Sequence, residues 1–193
     1  MVGCEVKDNV ADPDESMWIQ QAAQGDRKAF AQLVDLHLAP VRCWLIRLTG
    51  REHAAEDLTQ ETFLKAWTAL PSYRQTGPFR SWLFRIAKNC WIDARRHSDL
   101  HKKVPLSMEV EGKAADPLAG IIGAEVQQQF QLALATLPSK YRAAYLLWTQ
   151  EELPYAEIAE ILGVSEENAR WRVFQARQAL LKQLTPYLRD RET

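Results

Sequence analysis

A chain of 193 residues has room for one ordinary domain or two small ones, and 47% hydrophobic with 25% charged residues is the balance of a folded globular protein. The net charge of −1 excludes wholesale attraction to polyanions, so any nucleic-acid contact must come from local clustering. Three scattered cysteines, Cys4, Cys43 and Cys90, include no C-x-x-C spacing and argue against both a disulfide framework and a zinc ribbon.

Periodicity is helical almost throughout, with no clean alternation and no Asn-Gly or Asp-Gly hairpin signal. Residues 1–15 read as an acidic, polar tail without the basic and apolar runs of a secretory signal. No apolar run approaches a membrane span, and a reduced, cytoplasmic location is the expectation. A first helix through "SMWIQQAAQ" should break near Gly25-Asp26. A second, "KAFAQLVDLHLAPVRCWLIRLT", carries an apolar stripe of Phe30, Leu33, Val34, Leu36, Val41, Leu45, Ile46 and Leu48. Pro40 should kink it or mark an irregularity, and Gly50 should stand just past its end.

The third helix, "AAEDLTQETFLKAW", places Asp57, Gln60 and Glu61 at i, i+3 and i+4 on one face. Leu58, Phe63, Ala66 and Trp67 supply apolar contacts on the same helix. A loop, "PSYRQTGP", leads to a fourth helix from Phe79 to about His97. Residues 77–103 hold seven Lys or Arg against two acids, a concentrated basic patch in a near-neutral chain. Phe79, Trp82, Leu83, Ile86 and Cys90 should face inward, while Arg80, Phe84, Lys88, Trp91 and Arg95 form another stripe. The cations suit a phosphate backbone, and the aromatics suit either base stacking, worth about 1–3 kcal/mol each, or a place under a neighbouring helix.

Residues 99–120 lose sustained period and contain two prolines, which reads as a flexible linker between domains at 16–98 and 121–188. Helical pattern returns from Ile121 to Leu137, again at "SKYRAAYLLWTQ", and then through "PYAEIAEILGVSEENARWRVFQARQAL". There Ile158, Ala159 and Leu162 should be buried, Gly163 should end one helix, and Ser165 should cap the next. This is helix-turn-helix layout. In its second helix Ala169, Val173, Ala176, Leu180 and Leu184 share a buried face. Asn168, Trp171, Arg172, Gln175 and Gln178 point outward, flanked by Arg170 and Phe174, near the helix start where recognition helices touch bases. The fold class is therefore all-α: two small helical domains joined by a linker.

Together these residues resemble a bacterial extracytoplasmic function (ECF) sigma factor of the sigma-70 family. The pattern Asp57-x-x-Gln60-Glu61-x-Phe63-x-x-x-Trp67 is similar to region 2.2, which in that family docks on the clamp helices of the RNA polymerase largest subunit. "PSYRQTGPFRSWLFRIAKNCWIDARRH" is similar to regions 2.3 and 2.4. The resemblance implies capture of a flipped −10 base by Ser72, Tyr73, Arg74, Gln75, Thr76 and Gly77, with Arg80, Phe84, Lys88, Asn89, Trp91, Arg95 and Arg96 beside it. The helix-turn-helix resembles region 4.2, implying −35 contacts from Asn168, Arg170, Trp171, Arg172, Phe174 and Gln175. Three positions depart from the family pattern. Trp171 replaces a small residue, Gln175 a basic one, and Glu167 is acidic near the phosphates, so the −35 sequence need not be the common AAC type.

The implied partners are core RNA polymerase, promoter DNA and an anti-sigma factor of the membrane-bound kind common in the family. No cofactor, metal, small-molecule substrate or catalytic residue is expected. His97 and His101 have ligand spacing, but no carboxylate or cysteine set completes a site. The rival reading is a stand-alone helix-turn-helix regulator on operator DNA.

Overall fold

The computed structural model describes residues 13–74, 77–101 and 124–189. The described residues form eight α-helices and one 3-10 turn, and no strand. The first helix, α1 (Pro13–Ala23), takes in the last three residues of the expected tail. Its proline fits a first helical turn, where no backbone donor is needed, and Asp14 and Glu15 lie where the helix dipole favours acids. Glu15 reaches 2.8 Å to Nε2 of His37, a buried histidine, and ties α1 to α2 (Arg27–Thr49).

Asp26 caps α2 by accepting from the backbone N–H groups of Lys28 and Ala29 at 2.8 and 3.3 Å. Gly50 closes it in the left-handed region at φ 72°, donating to the Ile46 carbonyl. The helix continues unbroken through Pro40. By length and composition α2 could cross a membrane. Yet Leu33, Val41, Trp44 and Leu45 are fully buried and the helix packs on α1, α3 and α4, the position of a core helix.

Next come α3 (Glu52–Ala69), the 3-10 turn Leu70–Ser72, and α4 (Phe79–His101). Their core joins Ala55, Leu58, Phe63 and Ala66 to Leu83, Phe84, Ala87 and Cys90. Trp44 and Phe84 meet edge to face with centroids 5.6 Å apart. This resolves the two readings of Phe84: it is 1% exposed and belongs to the core, so it is not available to stack on a base.

The second unit comprises α5 (Ala124–Thr136), α6 (Ser139–Thr149), α7 (Tyr155–Leu162) and α8 (Glu166–Arg189). Of the expected linker, 99–120, residues 102–120 lie outside the described residues; α4 extends three residues beyond the anticipated boundary at 98. Leu134, Leu146, Leu147, Ile158, Ile161, Ala169, Val173 and Ala176 form this unit's share of the core. The two units also pack on each other, α7 against α4 and α6 against α2. Arg142 of α6 stitches that junction. Its guanidinium donates to the Leu48 carbonyl at 3.2 Å and to the carbonyls of Ala135 and Leu137 at 2.5 and 3.0 Å.

Truncating a buried aromatic leaves a cavity as well as losing transfer energy. Phe84→Ala should cost about 3–5 kcal/mol in urea unfolding, whereas a Phe84 held mainly for surface contact would leave stability within about 0.5 kcal/mol.

Candidate nucleic-acid interface

On α3, Asp57 and Gln60 are exposed, and Glu61 is half-buried beside them. Glu61 holds Lys65 at 2.8 Å, and that hydrogen bond pushes the Lys65 ammonium up despite some opposing burial. Phe63 and Trp67 do not join this surface as the sequence pattern implied. Phe63 is 8% exposed, and Trp67 is half-buried with its ring 4.9 Å from Phe30. They support the face from beneath. Leu64 was missed by the sequence reading: it is 68% exposed, at the i+7 position from Asp57, and extends the polar cluster with an apolar contact. An apolar residue at that register was the available signal.

Beyond the 3-10 turn, the Ser72 hydroxyl donates to the Ala69 carbonyl at 2.7 Å. The Tyr73 phenol donates across the loop to the Gly77 carbonyl at 2.8 Å, and its ring packs on Phe79 and Trp82. Tyr73 is thus a brace for the loop, and burial pushes its phenol up. Arg74 and Gly77 are exposed; Gln75 and Thr76 lie outside the described residues. A cleft of about 240 Å³ opens here, lined by Tyr73, Arg74, Trp82 and Arg85 from the first unit and by Glu160 and Ile161 from α7. Arg85, exposed on α4, is a further cation that the site reading left out.

Along α4 the basic residues divide into two groups. Arg80 is engaged: its guanidinium donates to the Glu151 carboxylate at 2.6 Å and also to the Glu151 carbonyl. Glu151 is 8% exposed, so burial pushes its carboxyl up while Arg80 pulls it back down. Next to it the Ser81 hydroxyl donates to the Glu157 carboxylate. Further along, Lys88, Trp91, Arg95 and Arg96 line a second cleft of about 530 Å³, faced by Lys140 and Arg172 of the other unit. No carboxylate is among its described lining residues. Burial pushes the Lys88 ammonium down, with Arg85 adding to that and Asp93 opposing it. Arg95 lies over the half-buried Trp91 ring at 5.7 Å and donates to the Ser139 hydroxyl. Asn89 and Arg96 are exposed.

In the helix-turn-helix, Gly163 takes φ 69° and ψ 46°, a conformation glycine reaches without a Cβ penalty. Ser165 accepts from the Asn168 backbone N–H at 3.2 Å and caps α8. Ala169, Val173, Ala176 and Leu180 are buried, and Leu184 is half-buried. Asn168, Arg170, Trp171 and Phe174 are exposed, with Arg172 and Gln175 half-buried. Trp171 is 47% exposed although its ring meets Tyr141 edge-on at 5.5 Å. Arg170 pairs with Glu166 at 3.0 Å and lies over Tyr155.

Comparison with known proteins bears on both units. The family model for sigma-70 region 2 matches residues 33–100, and that for sigma-70 region 4 matches residues 127–180. The ECF RNA polymerase sigma factor SigW of Bacillus subtilis (strain 168) is 34% identical over 181 residues, covering 86% of this chain and 94% of its own. The chain belongs to the ECF group of sigma-70 factors. It is an alternative sigma factor, and the stand-alone regulator reading is set aside. The ECF sigma factor SigE of Mycolicibacterium smegmatis is 36% identical over 164 residues, covering 82% of this chain and 63% of its own. Among solved structures, the sigma factor RpoE in complex with the anti-sigma factor NepR from Bartonella quintana aligns with TM-score 0.69 and 28% identity, over 82% of this chain and 98% of that one. CnrH in complex with the cytosolic domain of CnrY aligns with TM-score 0.63 and 26% identity, over 90% and 98%. Members of the group are transcription initiation factors.

Proposed function

We propose that this ECF sigma factor docks on the clamp helices of core RNA polymerase through Asp57, Gln60, Glu61 and Leu64, with Phe63 and Trp67 holding α3 in shape. The observation that carries this reading is the exposed, in-register face itself. A cluster of acid, amide and apolar groups on a helix whose other side is core is the composition of an interface: hydrogen bonds set register and the leucine excludes water. The loop from Ser72 to Gly77 and the Trp82 cleft then receive an unstacked −10 base, while Arg80, Lys88, Asn89, Arg95 and Arg96 hold phosphates. Asn168, Arg170, Trp171, Arg172, Phe174 and Gln175 read the −35 duplex. The polymerase supplies all covalent chemistry; this chain contributes recognition and strand trapping, in the cytoplasm. An anti-sigma factor is its expected regulator, a reading supported by the likeness to two chains solved with such partners. The domain boundaries expected from the sequence, 16–98 and 121–188, serve as the units of this division of labour.

Core binding tests the reading. The wild-type chain should bind core polymerase tightly, and the Asp57→Ala, Gln60→Ala double variant should lose at least about tenfold in affinity, roughly 1.4 kcal/mol. Its unfolding midpoint should stay near wild type, because both side chains are exposed. Folded wild-type protein that ignores core, or a double variant that binds equally well, would contradict the assignment.

The large exposed ring at Trp171 should shape −35 preference. Trp171→Ser should reorder transcription among promoters differing only at −35. A uniform loss across all of them would assign the ring to structure instead.

A further inference from the structure

Glu15, the last residue of the expected tail, has a side chain only 16% exposed, and it holds the buried His37 at 2.8 Å. An ionised carboxylate only accepts, so the His37 ring carries a proton on Nε2 and donates it to Glu15. The same ring lies 5.3 Å from that of Phe79, the first residue of α4. Phe79 is 4% exposed and meets Tyr73 edge-on at 5.6 Å and Trp82 at 5.3 Å. Tyr73 and Trp82 are 4.7 Å apart, and both line the cleft below the loop. A run of rings thus leads from α1 to that cleft. In addition α1 packs directly on the 3-10 turn Leu70–Ser72, where the loop begins. The Glu15 carboxylate is near enough to Tyr73 to add to the push that burial gives its phenol.

An aromatic wall receives a base well only while its rings keep their angles. Ring pairs sit in broad minima, so packing alone leaves sliding and rotation cheap. A hydrogen bond to a charged acceptor has a narrower geometry and fixes the plane of the imidazole. Phe79 rests on that plane, and Tyr73 and Trp82 rest on Phe79. Ile19 and Ala22 are buried and anchor α1 independently of the pair, so Glu15 acts from a fixed support.

We propose that Glu15 and His37 are positioning residues for −10 recognition: the bond between them fixes the Phe79, Tyr73 and Trp82 wall against which the unstacked base is received. This rests on the reading of that cleft as the −10 site. Neither residue contacts DNA itself. Losing the bond loosens selectivity at −10 and leaves core docking and the −35 helix as they are.

The test uses holoenzyme, core polymerase with the full chain. The probe is a single-stranded oligonucleotide carrying the −10 element of a promoter that this holoenzyme transcribes, compared with strands made abasic at each −10 position in turn. Wild type should prefer the intact strand. Glu15→Ala should cut that preference roughly fivefold, with the ranking of −35 variants of the duplex promoter unchanged. Glu15→Gln should keep the wild-type preference, because its amide oxygen still accepts from Nε2. Full preference in Glu15→Ala, equal losses at −10 and −35, or no rescue by glutamine would each overturn the proposal. Should Glu15→Ala lose its helical circular dichroism, His37→Phe keeps a ring without the donor and should show the same selective loss. Undiminished preference there would overturn the proposal equally. A wild-type holoenzyme indifferent to every abasic position would overturn the −10 reading itself, and the positioning role with it.

Discussion

Everything in this molecule turns on α4, which has to satisfy two opposed solvents along one helix. One side buries Leu83, Phe84, Ala87 and Cys90 against α2 and α3, and the other carries a run of cations with little acid to balance them. The apolar side fixes the helix rigidly, with Phe84 set edge-on against Trp44. That rigidity is what makes the basic side useful, since charges on a fixed helix present phosphates with fixed spacing. The cost is a line of like charges that needs counter-charges. Arg80 finds one in Glu151 of the second unit.

A sigma factor has two modest DNA footprints, and each alone is weak. The second unit packs α7 on α4, and Trp171 and Phe174 of α8 stay exposed. The α3 face proposed for the clamp is also open, with Leu64 the most exposed large apolar side chain among the described residues.

Much of this was legible in the sequence because helical periodicity and caps are local. Asp26, Gly50, Gly163 and Ser165 mark element ends through bonds to their own neighbours, and each does so here. Ala169, Val173, Ala176 and Leu180 were readable as a buried face for the same reason. Phe84 and Phe63 were harder. A wheel gives the direction of a side chain but not what stands opposite, and both met a neighbouring helix instead of solvent. Leu64 was overlooked because an apolar residue on a core helix is usually core. The Arg80–Glu151 pair was invisible: its partners are separated by 71 positions, and nothing in either local pattern announces the other.

The most direct measurement is run-off transcription by core polymerase plus this chain on a template library randomised at −10 and −35. A sigma factor working through these surfaces gives defined start sites whose yield depends on both elements and on their spacing. Transcripts that ignore either element, or that are the same without the added chain, would contradict it.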